Sequence, residues 1–145
     1  MENTIGLLHP GEMGSAVGAA VKVTGARVVW ASEDRSLATR SRAARSGLED
    51  VGTFDTLVAG SDFILSICPP DAAIDVARAV ARRFRGIYID ANAISPASAR
   101  SIAALIEAAG GNFVDGGIVG PAPAKHGTTR LYLAGQNASG CRHTV

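Results

Sequence analysis

Apolar positions fall alternately in short dense runs and at helical spacings, which predicts strands and helices in turn. Thr4-Ile5-Gly6-Leu7-Leu8 reads as a buried strand. Small and apolar residues from 11 to about 23 suit a tightly packed helix, which Gly25 ends. Arg27-Val28-Val29-Trp30-Ala31 is a second strand, rich in β-branched and aromatic residues. Residues 36–44 read as a polar helix with four arginines nearby, stopped by Gly47. Phe63-Ile64-Leu65-Ser66-Ile67 is the next strand, and Pro70 opens a helix with Ile74, Ala77, Ala81 and Phe84 on one face. Ile87-Tyr88-Ile89 is a strand, and Ser95-Pro96 combines a capping hydroxyl with a first-turn proline. Ile102, Leu105, Ile106 and Ala109 follow at helical spacing until Gly110-Gly111. Asn112-Phe113-Val114-Asp115 and residues 129–134 read as two last strands.

Strands alternating with helices mean βαβ units. The expected fold class is α/β, a mostly parallel sheet with helices on both faces. Residues 1–135 form one expected domain. The polar residues 136–145 have little periodicity and read as a disordered tail or a truncation scar.

The chain has 145 residues, the size of one domain. An apolar fraction of 47% against 19% charged excludes an intrinsically disordered chain. The net charge is only +1, so no strong field favours nucleic acid or an acidic membrane surface. No run of about 18 apolar residues could span a bilayer, and no basic region precedes an apolar one as in a signal peptide. The cytoplasm is then the default compartment. Cys68 and Cys141 have no metal spacing, and no metal is expected.

The first strand ends at Leu8 and runs into His9-Pro10-Gly11-Glu12-Met13-Gly14, with a helix next. A dinucleotide site needs G-x-G-x-x-G in that place. The second glycine lets the backbone approach the pyrophosphate, the third lets the helix pack on the strand, and helix N-terminal amides hold the phosphates. Gly11 and Gly14 fill the second and third places, while His9 stands in the first. Residues 8–14 are therefore candidate cofactor contacts. Against this stands a tight turn that needs glycine for packing alone. Glu12 suits the site only if its side chain faces solvent.

The end of the second strand discriminates between cofactors. An acidic residue there serves the ribose 2′-hydroxyl of NAD, and an arginine serves the 2′-phosphate of NADP. Ser32-Glu33-Asp34-Arg35-Ser36 offers both. Ser32 gives room and a hydroxyl, Arg35 a bidentate fork, and Arg40 lies further along the helix. The arginines favour NADP, with NAD as the alternative through Glu33 or Asp34.

Residues 4–18, with their Pro-Gly-Glu-Met-Gly core, resemble the opening of the β-hydroxyacid dehydrogenases, which include 3-hydroxyisobutyrate and 6-phosphogluconate dehydrogenases. Further matches follow in order. Ser66-Ile67-Cys68-Pro69-Pro70 resembles the proline loop that covers the cofactor, and Asp90-Ala91-Asn92-Ala93-Ile94-Ser95-Pro96 resembles D-x-S-T-x-S-P. Residues 113–120 resemble the substrate-loop signature, and residues 127–135 the strand that closes the domain. The His-Pro-Gly-Glu-Met-Gly loop is most similar to a bacterial branch of 6-phosphogluconate dehydrogenase-like proteins.

This resemblance implies a Rossmann-type fold and hydride transfer to or from a small hydroxyacid. It places Cys68, Pro69, Pro70 and Asn92 at the cofactor and Ile118, Val119 and Gly120 at the substrate. A homodimer is compatible with it. The departures are His9, Ala93 in place of a threonine and Val119 in place of the signature serine. The family's catalytic lysine and all-helical second domain lie beyond the matched region, and neither Lys22 nor Lys125 fits that lysine's motif. Lys22 is expected to face outward from its helix. Lys125, next to His126, reads as a solvated loop residue that could reach an open cofactor site. Three readings remain: the cofactor-binding part of an oxidoreductase, a non-catalytic dinucleotide module, or an inactive truncated product. Ser95 has a full explanation as a helix cap. Cys68 reads as a small buried hydrophobe with no histidine placed to activate it.

Overall fold

The computed structural model describes residues 2–124, 128–135 and 137–138. Lys125, His126, Cys141 and most of the expected tail lie outside the described residues. The elements run β1 Thr4–Leu8, α1 Glu12–Lys22, β2 Arg27–Trp30, α2 Leu37–Arg45, β3 Glu49–Asp50, α3 Phe54–Gly60 and β4 Phe63–Ser66. A short 3₁₀ turn at Pro70–Ala72 leads into α4 Ala73–Ala81, followed by β5 Ile87–Asp90, α5 Pro96–Ala108, β6 Asn112–Val119 and β7 Arg130–Ala134.

The seven strands form one sheet in the order β3-β2-β1-β4-β5-β6-β7. Six are parallel, and β7 runs antiparallel to β6. The chain leaves β1 toward one edge, then crosses back to β4 and builds toward the other. That reversal opens a crevice between the carboxyl ends of β1 and β4, where ligands bind in sheets of this kind.

Alternating side chains fill two apolar layers, as the period of a strand requires. Ile5, Leu7, Val28, Trp30, Phe63, Leu65 and Ile89 meet Val17 and Val21 of α1 and Ala43 of α2 on one face. Leu8, Val29, Ile64 and Tyr88 meet Leu57 of α3, Ala77 and Val80 of α4 and Ile102 and Ile106 of α5 on the other. The helices on both faces and the parallel order are those the alternating pattern predicts.

The differences are local. Pattern reading finds neither β3 nor α3. β3 is two exposed acidic residues with no apolar signal. α3 is seven residues, started by the Thr53 hydroxyl accepting from the Thr56 amide at 3.1 Å. β6 extends past Asp115 because β7 pairs with it from Asp115↔Ala134 to Val119↔Arg130, which holds Gly116 and Gly117 extended. Within residues 136–145, Ala138 packs on the core layer that α1 covers.

Candidate dinucleotide site

The site grows from the turn between β1 and α1. His9 has φ of 62°. A non-glycine residue in that left-handed conformation is strained, by about 1–2 kcal/mol. The first glycine of the loop pattern is thus replaced in residue type, while a backbone conformation that glycine favours is retained. The His9 carbonyl accepts from the Gly11 amide at 2.7 Å. A Cβ at Gly14 would lie 2.6 Å from that same carbonyl, so only glycine fits there. A Cβ at Gly11 would meet only the His9 carbonyl oxygen, at 3.9 Å. Gly11 is therefore not required by internal packing, and its bare backbone faces open space.

Gly11 caps α1, and the Ser15 hydroxyl donates to its carbonyl at 2.6 Å. The amides at the start of an α-helix have no partner within the helix and carry its positive end. Glu12 is exposed, as a phosphate site at this position demands, while Met13 packs on the core. Leu8 and Pro10 are buried, so any ligand would meet their backbone.

Arginines converge here from the second turn and α2. Arg42 Nη1 lies 3.5 Å from the Pro10 carbonyl, and Arg40 Nη2 donates to the Ser32 carbonyl at 3.1 Å. Burial, and after it the charge of Arg35, pull the His9 ring down to a pKa of about 4. The ring is neutral at pH 7, and its shielded Nδ1 has no hydrogen-bond partner.

Ser32 is buried, and its amide donates to Asp50 Oδ1 at 3.2 Å. Asp50 also accepts from the Gly52 amide at 2.8 Å. Its slight burial pushes the carboxyl up, but hydrogen bonds from Ser32 and Gly52 outweigh that and hold it below the usual range. Glu33 accepts from the Phe54 amide at 3.0 Å, which occupies one of the two acidic candidates for the ribose. Asp34 is exposed with φ of 58°. Asp50 and Arg42 are the residues that sequence reasoning missed. Asp50 sits on a strand too short to read, and Arg42 was one of several arginines on a polar helix.

The ends of β4 and β5 hold a different arrangement. The Asn92 side chain accepts from the Cys68 amide at 2.6 Å and donates to the Ser66 hydroxyl at 3.1 Å. Its own amide donates to Asp90 Oδ1 at 2.9 Å. Asn92 thus clamps the two strand ends together. Asp90 is fully buried; burial first, and weakly Asp115, push its carboxyl up to about 6 against the hydrogen bonds from Asn92. Burial also raises the Cys68 thiol, which is the behaviour of a packed, protonated sulfur. Pro69 and Pro70 stand exposed at the rim. Ser95 caps α5 by accepting from the Ser98 amide at 3.1 Å.

Ile118 is half-buried, Val119 is 61% exposed, and Gly120 has φ of 121°. They lie at the end of β6, three strand spacings or about 14 Å across the sheet from the glycine turn. Lys22 is exposed and donates to the Gly47 carbonyl at 2.7 Å, away from this edge. No helix among the described residues is long and apolar enough to cross a membrane.

A cradle with space above Gly11, open helix amides and an arginine rim fits the diphosphate of a dinucleotide. The chain as a whole is similar to several known proteins. An uncharacterised 28.5 kDa protein of Methanothermus fervidus is 31% identical over 105 residues, covering 72% of this chain and 40% of the relative. A conserved protein of unknown function, described as structurally similar to 3-hydroxyacid dehydrogenases, is 29% identical with a TM-score of 0.86, over 97% of this chain and 54% of its own. An imine reductase variant from Myxococcus stipitatus, solved in complex with NAD+, is 25% identical with a TM-score of 0.80, over 98% and 50%. The chain spans about half the length of these relatives. The model of the NAD-binding domain of 6-phosphogluconate dehydrogenase matches residues 4–143, and the chain belongs to that family.

Proposed function

We propose that this domain binds NADP(H) in preference to NAD(H), and that the protein carrying it moves a hydride to or from a small hydroxyacid. The observation that carries the reading is the glycine turn with Arg35 beside it. A nicotinamide dinucleotide supplies the hydride when bound. The chain's own groups bind and orient it: residues 8–14 at the diphosphate, Ser32 and Arg35 at the ribose phosphate, and the loop of Cys68, Pro69 and Pro70 with Asn92 toward the nicotinamide. Ile118, Val119 and Gly120 face the substrate side. Arg35 favours NADP because a guanidinium fork matches a phosphate.

NAD is the second reading. It is favoured by the carboxylates of Asp34 and Asp50 around Ser32 and by the NAD+-bound imine reductase neighbour. Calorimetric titration of the chain with NADP+ and NAD+ tests both. Tighter binding of NADP+ is expected, by about ten- to a hundredfold, the value of a charged hydrogen bond. Equal affinities would remove the phosphate assignment, and no binding of either would remove the dinucleotide reading.

A further inference from the structure

The two edges of the sheet are built differently. At one edge β3 is two exposed acidic residues, and a strand that short and charged offers little to another chain. At the other edge β7 is five residues, Arg130-Leu131-Tyr132-Leu133-Ala134, and among the described residues it has a partner strand, β6, on one side alone. Alternate N–H and C=O groups of β7 therefore point away from the sheet. No proline interrupts this strand, and Arg130 at its start is its one charge. A flat apolar edge of this kind is a template for another strand. One face of the β6–β7 hairpin is also uncovered. Tyr132 is 55% exposed and Val119 61% exposed. A Cβ at Gly117, the register partner of Tyr132, would meet nothing within 4 Å.

We propose that β7 is a self-association edge, on which a second copy of this chain adds its own β7 antiparallel, about a two-fold axis through Tyr132. The strand is complementary to itself in that register. Tyr132 stands opposite Tyr132 of the other copy, Leu131 opposite Leu133, and Arg130 opposite Ala134. The two tyrosines pair across the strands on the face where Gly117 leaves space. The leucine pairs extend the opposite face, where Leu131 and Leu133 are already half-buried against the core layer that α1 covers. Charge fits the same arrangement. Asp115 and Arg130 are both exposed, and neither forms an ion pair among the described residues. They share a face of the hairpin, but Asp115 pairs with Ala134, so within one copy the two charges are four residues or about 13 Å apart along the strands. Across the axis, Arg130 faces the small side chain of Ala134. That leaves its guanidinium a path to Asp115 of the other copy, two strand spacings or about 10 Å from its own backbone. The symmetry makes this contact twice, and it closes: each copy has then used the one long edge among its described residues, so association stops at two.

Analytical ultracentrifugation of the 145-residue chain across the micromolar range tests this. The wild type is expected to reach a dimer and nothing larger. Tyr132→Lys sets two ammonium groups opposite one another at the axis, and should weaken the dimer by at least about tenfold while circular dichroism shows the fold retained. Arg130→Asp should weaken it by about two- to thirtyfold, since two exposed ion pairs are lost. Adding Asp115→Arg to that variant should restore the dimer, because the two charges meet between copies and not within one. Hydrogen exchange on the wild type alone gives a measure that does not depend on any variant folding. The β7 amides should exchange more slowly as the protein concentration rises. A chain that stays monomeric overturns the proposal. So does a dimer that Tyr132→Lys leaves intact, or β7 exchange that ignores concentration, since the copies would then meet elsewhere. Failure of the double variant to recover overturns the Tyr132-centred register, and growth beyond a dimer overturns the closed two-fold. All of these outcomes are independent of whether a dinucleotide binds.

Discussion

The carboxyl ends of β1 and β2 and those of β4 and β5 lie side by side on one edge of the sheet, yet they differ in what their backbone and side chains leave open. At β4 and β5 most side chains bond to one another, with Asp90 Oδ2 and the Tyr88 hydroxyl left buried without a partner. Asn92 spends its amide on Cys68 and Ser66 and its backbone on Asp90. At β1 the backbone is left open. Gly11 faces empty space, the first amides of α1 have no helix partner, and His9 Nδ1 has none at all. Buried or focused polar groups are costly to leave unpaired. Strand ends tied together by a side chain such as Asn92 are a scaffold, whereas a turn whose backbone stays open, as at Gly11, leaves room for something that arrives.

The largest effect should come from closing the open region. Gly14→Val would drive a branched side chain into the His9 carbonyl, already 2.6 Å from the place of a Cβ. Dinucleotide binding should fall by more than a hundredfold, and the melting temperature should drop. Calorimetry and thermal melting measure both. Unchanged affinity would mean that ligands dock elsewhere. Arg35→Ala is the milder perturbation of the same region. It should weaken NADP+ by about ten- to a hundredfold, from 1.5–3 kcal/mol for a charged hydrogen bond, and leave NAD+ nearly untouched. Equal losses for both cofactors would show that Arg35 serves the diphosphate instead.

On the scaffold side the readout should be stability. The Asp90 carboxyl, near 3.8 when unfolded and about 6 when folded, binds its proton more tightly in the folded chain. The unfolded state therefore holds fewer protons between those values. Stability is fully present below about pH 4, declines as the pH rises to about 6, and is flat above. The total is on the order of 3 kcal/mol. Denaturant unfolding of Asp90→Asn should show that decline removed. A slope that survives the substitution would assign it to another group.

The two regions were also unequally legible. The glycine turn could be read because its chemistry is local: Gly11 and Gly14 follow a strand at fixed spacing. The apolar layers were legible through their period, as Ile64 and Tyr88 on one face and Leu65 and Ile89 on the other show. The Asn92 clamp was not, because its partners Ser66 and Cys68 are 26 and 24 residues away and meet it only when β4 pairs with β5. Asp50 was hidden for the same reason, its link to Ser32 depending on a two-residue strand. His9 was legible as a departure from the pattern. That it keeps the glycine-like conformation is visible only in the backbone.

Ser95 gives the smallest effect and the finest division between the two regions. It stands just past β5, three residues after Asn92. Its hydroxyl is nonetheless committed: it accepts from the Ser98 amide at 3.1 Å and donates to the Ser98 hydroxyl at 3.1 Å. If Ser95 belongs to the scaffold, Ser95→Ala removes a helix cap and costs about 1 kcal/mol of stability. Ser95→Thr, which keeps the capping oxygen, should restore most of it. Affinity for NADP+ and NAD+ should stay within about twofold in both variants, since the hydroxyl is already spent within the chain. Denaturant melts and calorimetry on the same preparations separate the outcomes. A tenfold loss of affinity in Ser95→Ala with no change in stability would move Ser95 across the boundary, into the part of this edge that meets the ligand.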